Sequence, residues 1–190
     1  MFKWLLIFVF YCMGVYPMEF VNKSGSKILI EKCEQKDLES CYKMAFHAVS
    51  QAYSHLTPQD LGVEDMTALL KQVATEIDEN FQGGFEQFMV AKKEGEVVGL
   101  IGFKATETPH QIYIARLVVD QLFTREGIGK ALVFSAFDIY ENVEELVVIT
   151  RKINESARQF YKRLGFKASS YMHGGYSPEK YTGYEWKKGA

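Results

Sequence analysis

Two short stretches carry residue types that could hold an anion and move a proton. The first is RLVVDQLFTREGIGKAL, Arg116 to Leu132. It reads as a strand ending at Val119, a short loop, and a helix opening at Gly127. Glycines 127 and 129 leave the backbone bare where the helix begins. The first amides of a helix lack internal partners and carry the positive end of its dipole. Such a terminus suits a phosphate or pyrophosphate, and Arg125 and Lys130 add positive charge beside it. The alternative is a glycine turn packed tightly against a sheet. A P-loop does not fit, because Thr124 stands where the first glycine belongs and Ala131 follows Lys130. A dinucleotide fingerprint does not fit either: Leu132 replaces the third glycine, and the segment lies past the middle of the chain.

The second stretch is NESARQFYKRLGF, Asn154 to Phe166. Asn154, Ala157 and Tyr161 share one helix face at this spacing. An amide, a small side chain and a phenol on one stripe could line a ligand groove. Alternatively, Tyr161 is a core-edge residue whose hydroxyl reaches water. Arg116, inside the preceding strand, either orients an acidic or phosphate-bearing acceptor, or simply points to solvent or pairs with a neighbouring acid. His47, His55, His110 and His173 have no metal-ligand spacing, so no metal site is expected. Cys12, Cys33 and Cys41 are odd in number and form no CxxC pair, which argues against a disulfide scaffold. Cys41 falls on an apolar helix stripe and reads as core.

The elements that must position these stretches follow from periodicity. Lys27 to Cys33 is a strand, and Asp37 offers a helix N-cap. Leu38, Cys41, Tyr42, Ala45, Phe46, Val49, Tyr53 and Leu56 form a helix stripe that Thr57-Pro58 ends or restarts. A second helical stretch runs from Val63 to Ile77. Phe85 to Lys92 and Val97 to Lys104 make a hairpin through Glu94-Gly95. Ile112 to Val119 is a strand, Gly127 to Tyr140 a helix, and Glu145 to Thr150 a strand of the buried kind. Asn154 to Leu164 is a helix with Gly165 beyond it. Phe166 to Met172 and Tyr184 to Lys187 close the chain as strands, in which the late tyrosines read as packing. Tyr176 and Ser177 are placed to rim a pocket. This is an α/β mixture in one domain, 26–188.

The 190 residues carry 22 Lys plus Arg against 24 Asp plus Glu, a formal net charge of −2. No basic excess supports nucleic acid as a partner. Residues 1–20 form a separate hydrophobic segment, uncharged from Trp4 to Met18. It is short of the ~20 apolar residues that span a bilayer. Three readings stay open: an anchor, a signal segment, or sequence upstream of a true start at Met18. The last predicts a cytoplasmic protein; the first predicts membrane tethering through residues 4–18.

Together, LVVDQLFTREGIGKAL and NESARQFYKRLGF resemble the GNAT N-acetyltransferase superfamily, and the resemblance extends from about Lys27 to Lys187. It implies a mixed, mostly antiparallel sheet with helices on both faces and a splayed parallel strand pair. It implies acetyl-CoA as cosubstrate, lying where Ile112–Val119 and Glu145–Thr150 part. The pantetheine arm would pair with backbone of Leu117, Val118 and Val119. The pyrophosphate would sit on the amides of Arg125, Glu126, Gly127, Ile128, Gly129 and Lys130. Asn154 and Ala157 would contact the arm, and Tyr161 would face the sulfur as general acid. Transfer to a primary amine of a small molecule or protein would be direct, through a tetrahedral intermediate whose oxyanion meets an N–H near Val118 or Val119. A homodimer is compatible with the resemblance.

Two departures matter. Thr124 stands where the loop motif usually has Gln or Arg. The stretch Tyr113-Ile114-Ala115-Arg116 lacks the glutamate that many relatives use as general base. That absence keeps a second reading open, an acyl-CoA-binding sensor or scaffold without turnover.

Overall fold

The computed structural model describes residues 17–189. The strands are Met18–Val21 (β1), Lys27–Lys32 (β2), Gln87–Lys93 (β3), Glu96–Ala105 (β4), Gln111–Val119 (β5), Glu145–Arg151 (β6), Lys167–Ser169 (β7) and Tyr181–Lys187 (β8). They form one sheet in the order β1-β2-β3-β4-β5-β6-β8-β7. Every neighbouring pair is antiparallel except β5–β6. The helices are Leu38–Ala52 (α1), Pro58–Leu61 (α2), Met66–Gln82 (α3), Ile128–Phe134 (α4), Ala136–Ile139 (α5) and Glu155–Arg163 (α6).

Helices cover both faces of this sheet, as the resemblance implies. Because side chains alternate along a strand, β3 splits its residues between two cores. Met89 and Ala91 join Ile101, Phe103, Ile128, Leu132 and Tyr161 on the face of α4 and α6. Phe88 and Val90 join Leu100, Cys41, Met44 and Ile77 on the face of α1 and α3. Central strands buried on both sides therefore read as continuous apolar runs.

β5 changes register inside the sheet. Gly102 pairs with Arg116 and Phe103 with Ile114, so Ala115 is an extra residue, a β-bulge. The bulge exchanges the faces of β5: Ile112 and Ile114 precede it in the α4–α6 core, and Leu117 and Val119 follow it against the same core. The parallel pairing of β5 with β6 ends at Ile114↔Val148, one residue before the bulge. Beyond it the two strands are unpaired with each other.

Several boundaries differ from the sequence expectation. Met18–Val21, read there as the end of the hydrophobic segment, pairs with β2 as an edge strand. The rest of that segment, up to residue 16, lies outside the described residues. Among the described residues no helix is long and apolar enough to cross a membrane. α3 starts at Met66, where Asp65 accepts the Ala68 amide at 2.7 Å, and it runs on to Gln82. The helix expected over Gly127–Tyr140 breaks at Ser135, whose buried hydroxyl donates to Leu132 O at 2.7 Å. Phe46, expected on the core stripe of α1, is exposed; the buried stripe is Leu38, Cys41, Met44 and Ala45. The last strand begins at Tyr181 and pairs with the whole of β6.

Asp37 caps no amide of α1. It closes a single 3-10 turn, Gln35–Asp37, and accepts the Glu34 amide at 3.0 Å. Its other oxygen meets Lys92 Nζ at 2.8 Å, and Lys92 also reaches Glu31 at 2.7 Å. The side chains of Lys92 and Asp37 are 8% and 6% exposed, so this is a buried brace tying the start of α1 to β2 and β3. Burial pushes the Lys92 ammonium pKa down, but the hydrogen bonds and charges of Asp37 and Glu31 outweigh it and the net shift is upward. A raised lysine stabilises the fold fully below the ordinary lysine pKa of about 10.4. That stabilisation fades as pH climbs through the raised value. Lys92→Met strands Asp37 as an uncompensated buried carboxylate, and is expected to cost about 3–5 kcal/mol in urea unfolding at neutral pH. A loss below about 1 kcal/mol, the range of surface pairs, would show that the brace is not structural.

Candidate active site

Where β5 and β6 part, a cleft of about 830 Å³ opens between the sheet and α1 and α3. Its walls include Tyr113, Ala115, Arg116, Leu117 and Val118 from β5, Tyr53 just past α1, Asn154 ahead of α6, and Tyr171, His173 and Tyr176 from the β7–β8 loop. The backbone of β5 decides what this edge can bind. Asp120 N donates to Val98 O at 3.0 Å, which fixes the alternation of the β4–β5 ladder. Val118, opposite Leu100, has the same parity and turns its backbone toward β4. Leu117 and Val119 turn their N–H and C=O groups away from β4, toward the open side. Of the three residues expected to pair with a pantetheine arm, these two are free to do so. Val118 contributes its side chain to the cleft wall.

At the end of this edge the chain turns through a 3-10 turn, Gln121–Phe123, into α4. Arg125 and Gly127 both adopt left-handed backbone, φ 66° and 92°. Glycine takes that conformation at no steric cost, and the kink turns successive amides to one side. Among the described residues, none of the six N–H groups from Arg125 to Lys130 donates to a protein acceptor, and no side chain caps α4. Six unclaimed donors at a helix terminus, flanked by Arg125 and Lys130, fit a diphosphate. The Glu126 carboxylate is held at the β1–β2 turn, where Asn22 Nδ2 and Ser24 Oγ donate to it. Gly129 has a different reason to be glycine. A Cβ there would meet the Phe160 ring at 3.1 Å, so its bareness brings α4 close to α6. The crowding at Gly129 comes from a helix, where the sequence suggested packing against the sheet.

α6 starts on Asn154, whose Oδ1 accepts the Ala157 amide at 3.0 Å. That cap uses the oxygen of the Asn154 amide, and the residue lines the cleft together with Tyr53. Ala157 is half-buried against the α4–α6 core. Tyr161 is 5% exposed, packed edge-on against Phe160 and Phe166 with ring centroids 5.2 and 5.3 Å away. Burial pushes its pKa upward, so the phenol keeps its proton at neutral pH. Tyr161 lies behind the cleft wall and does not line it.

The far end of the cleft is aromatic. His173 stands edge-on to Tyr113 and Tyr176 at 4.7 and 4.8 Å, and Tyr171 packs on Tyr113 at 5.9 Å. Tyr171 and Tyr176, expected from the sequence to pack as strand residues, are carried with His173 to the cleft by this loop. Tyr176 does rim it, but Ser177 does not, bonding Glu179 instead at 2.6 Å. Arg116 pairs with an acid: its Nε and Nη2 reach the two oxygens of Glu86, each at 2.8 Å. No local pattern singles out Glu86, which stands one residue before β3. Only the β3–β4–β5 register brings it beside Arg116. Among the described residues no cluster of His, Cys, Asp or Glu could hold a metal ion.

Comparisons with known proteins agree with this geometry. Residues 46–166 match the Acetyltransferase (GNAT) family. The UPF0157 protein YqkA of Bacillus subtilis is 31% identical over 107 residues, 56% of this chain and 29% of that protein. Human N-acetylaspartate synthetase is 33% identical over 82 residues, 42% of this chain and 27% of that one. The chain thus spans less than a third of the length of these two curated relatives. Among solved structures, the PaiA N-acetyltransferase of Thermoplasma acidophilum in complex with coenzyme A superposes with a TM-score of 0.67 at 20% identity. That match covers 85% of this chain and 99% of the other, and it shows the shared fold. The parted parallel strands, the amide-rich turn into α4 and the family match lead to one conclusion: the chain belongs to the GNAT acetyltransferase family.

Proposed function

We propose that this protein is an N-acetyltransferase that moves the acetyl group of acetyl-CoA to a primary amine. One observation carries the proposal. The unpaired edge of β5 runs directly into six unclaimed amides, the pattern that an extended arm ending in a diphosphate would satisfy. The domain responsible is the sheet and helices within 26–188, with β1 completing its edge.

Acetyl-CoA supplies an activated acetyl thioester. Leu117 and Val119 would hold its arm as an added strand, with Asn154 and Ala157 alongside. The amides of Arg125, Glu126, Gly127, Ile128, Gly129 and Lys130 would take the diphosphate. The Val119 N–H, turned to the open side, would meet the negative charge that develops on the carbonyl oxygen, and one such donor is typically worth about 10²–10³ in rate. Tyr161 stands behind the cleft wall in the α4–α6 core, so it would donate to the departing sulfur only where the arm enters the gap between β5 and β6. Its raised pKa makes complete transfer to a thiolate uphill. Its contribution is therefore a hydrogen bond that strengthens as charge builds on sulfur. A second reading has an observation of its own. β5 offers no carboxylate to the cleft, since Arg116 occupies that stretch and is joined to Glu86. An acyl-CoA-binding module without turnover would look the same.

Calorimetry separates these claims. Wild type is expected to bind acetyl-CoA saturably. Gly127→Asp, a residue tolerated in left-handed backbone, puts a carboxylate into the anion site and should weaken binding at least about tenfold. Equal affinity in that variant would move the diphosphate elsewhere. Gly129 is avoided because a side chain there disturbs Phe160.

Tyr161→Phe should lower kcat about 10²-fold while changing acetyl-CoA affinity by no more than about twofold. Unchanged turnover would remove Tyr161 from the mechanism. The same variant has a pH signature. Tyr161 and Tyr113 are both shifted upward, in each case first by burial. Above about pH 10 the unfolded chain releases tyrosine protons that the native state retains, so native stability falls as pH rises. Below that pH the linkage is silent. Tyr161→Phe should show a shallower alkaline loss of stability than wild type; an identical slope would mean that Tyr161 ionises as an ordinary tyrosine.

A further inference from the structure

The floor of the cleft holds an ion pair that acetyl transfer itself does not require. Arg116 and Glu86 meet through two parallel hydrogen bonds of 2.8 Å, with side chains 16% and 5% exposed. The guanidinium lies over the Phe88 ring, 5.6 Å from its centroid. Gly102 is the β4 residue opposite Arg116, and a Cβ there would collide with Glu86 Oε2. The sheet thus leaves a glycine-sized gap for this pair. Burying two charges is expensive, and apolar residues of the same volume often serve stability as well. A pair retained at a cleft floor invites a binding role.

The pair is unsaturated at both ends. Arginine has five N–H donors, and Arg116 uses two of them on Glu86. The other three donate to no acceptor among the described residues. Each Glu86 oxygen accepts one bond and has capacity for another. Both residues line the cleft. A lone ammonium would gain against Glu86 and lose a similar amount against Arg116, and a lone carboxylate would meet the reverse. A molecule carrying both charges, laid antiparallel to the pair, gains at both ends.

We propose that the acceptor is a zwitterionic α-amino acid. Its carboxylate takes the free N–H groups of Arg116, and its amino nitrogen lies beside Glu86. This rests on the acetyltransferase reading. The ammonium releases one proton, and the neutral nitrogen attacks the thioester carbonyl. The new N–C bond forms, the nitrogen gives up a second proton, and the C–S bond breaks with its electron pair on sulfur. Sulfur takes up one proton, leaving an N-acetyl amino acid, free CoA thiol and one proton in solution. The apolar wall of Ala48, Val49, Ala52 and Val73 leaves room for the amino acid's side chain.

The test measures CoA thiol release by the full chain with acetyl-CoA and matched acceptors: phenylalanine, its methyl ester, phenethylamine and a phenylalanyl dipeptide. A smaller set built on alanine runs beside it. The free amino acid should exceed the other members of its set about tenfold to a hundredfold in kcat/KM, the worth of a charge-assisted fork. Arg116→Lys keeps the charge and loses the fork, so it should raise KM for the amino acid selectively, with acetyl-CoA affinity and melting temperature as controls. If that variant does not fold, the wild-type comparison decides alone. Equal or better turnover of esters, simple amines or the dipeptide would overturn the zwitterion proposal and leave acetyl transfer standing. Acetyl-CoA binding with no release to any acceptor would overturn acetyl transfer first, and this proposal with it.

Discussion

The organisation of the site depends on the parting of β5 and β6. They are the only parallel neighbours in the described sheet, and they hold register for four residues each, Gln111–Ile114 against Glu145–Val148. The bulge at Ala115 follows at once. A bulge bends a strand and increases its local twist, so the strand that carries it swings away from its neighbour. The consequence is a row of backbone donors and acceptors with no partner strand. Exposed edges of this kind are usually blunted or covered. Here the edge lies inside the sheet, flanked by helices on both faces, where a second chain could not easily reach it but an extended ligand could.

Charge is placed with the same economy. The described residues bury two ion-pair systems, and each meets a different need. Lys92, with Asp37 and Glu31, ties the first turn of α1 to the sheet and so fixes one wall of the cleft. Arg116 and Glu86 sit in the cleft itself, backed by Phe88 and by the gap at Gly102. The first lies away from the cleft lining, its ammonium held between two carboxylates. The second retains capacity toward the cavity, and this difference separates a brace from a binding surface.

Much of this was legible in the sequence, for identifiable reasons. The strands around Lys27–Cys33, Val97–Lys104 and Glu145–Thr150 are apolar runs bounded by turn residues, and local pattern suffices for them. Gly165 beyond α6 follows from a local backbone rule. What stayed hidden depends on register or on loop folding. Met18–Val21 is too short to stand apart from the apolar residues before it. Glu86 and Arg116 are thirty residues apart, and only three-strand pairing joins them. His173 and Tyr171 reach the cleft through a loop whose course no periodicity describes. Asp37 had the right residue type for a cap, but a buried lysine from a distant strand claimed its carboxylate.

The central claim is that the edge of β5 and the amides before and within the first turn of α4 form one binding track. Titrating acetyl-CoA into ¹⁵N-labelled protein and following the backbone amides tests it directly. The account predicts that the resonances of Leu117, Val119 and the six residues Arg125 to Lys130 shift together, saturating at a single concentration, while those of the β1–β2 core stay still. Shifts confined to another surface, or none in a folded protein, would contradict it.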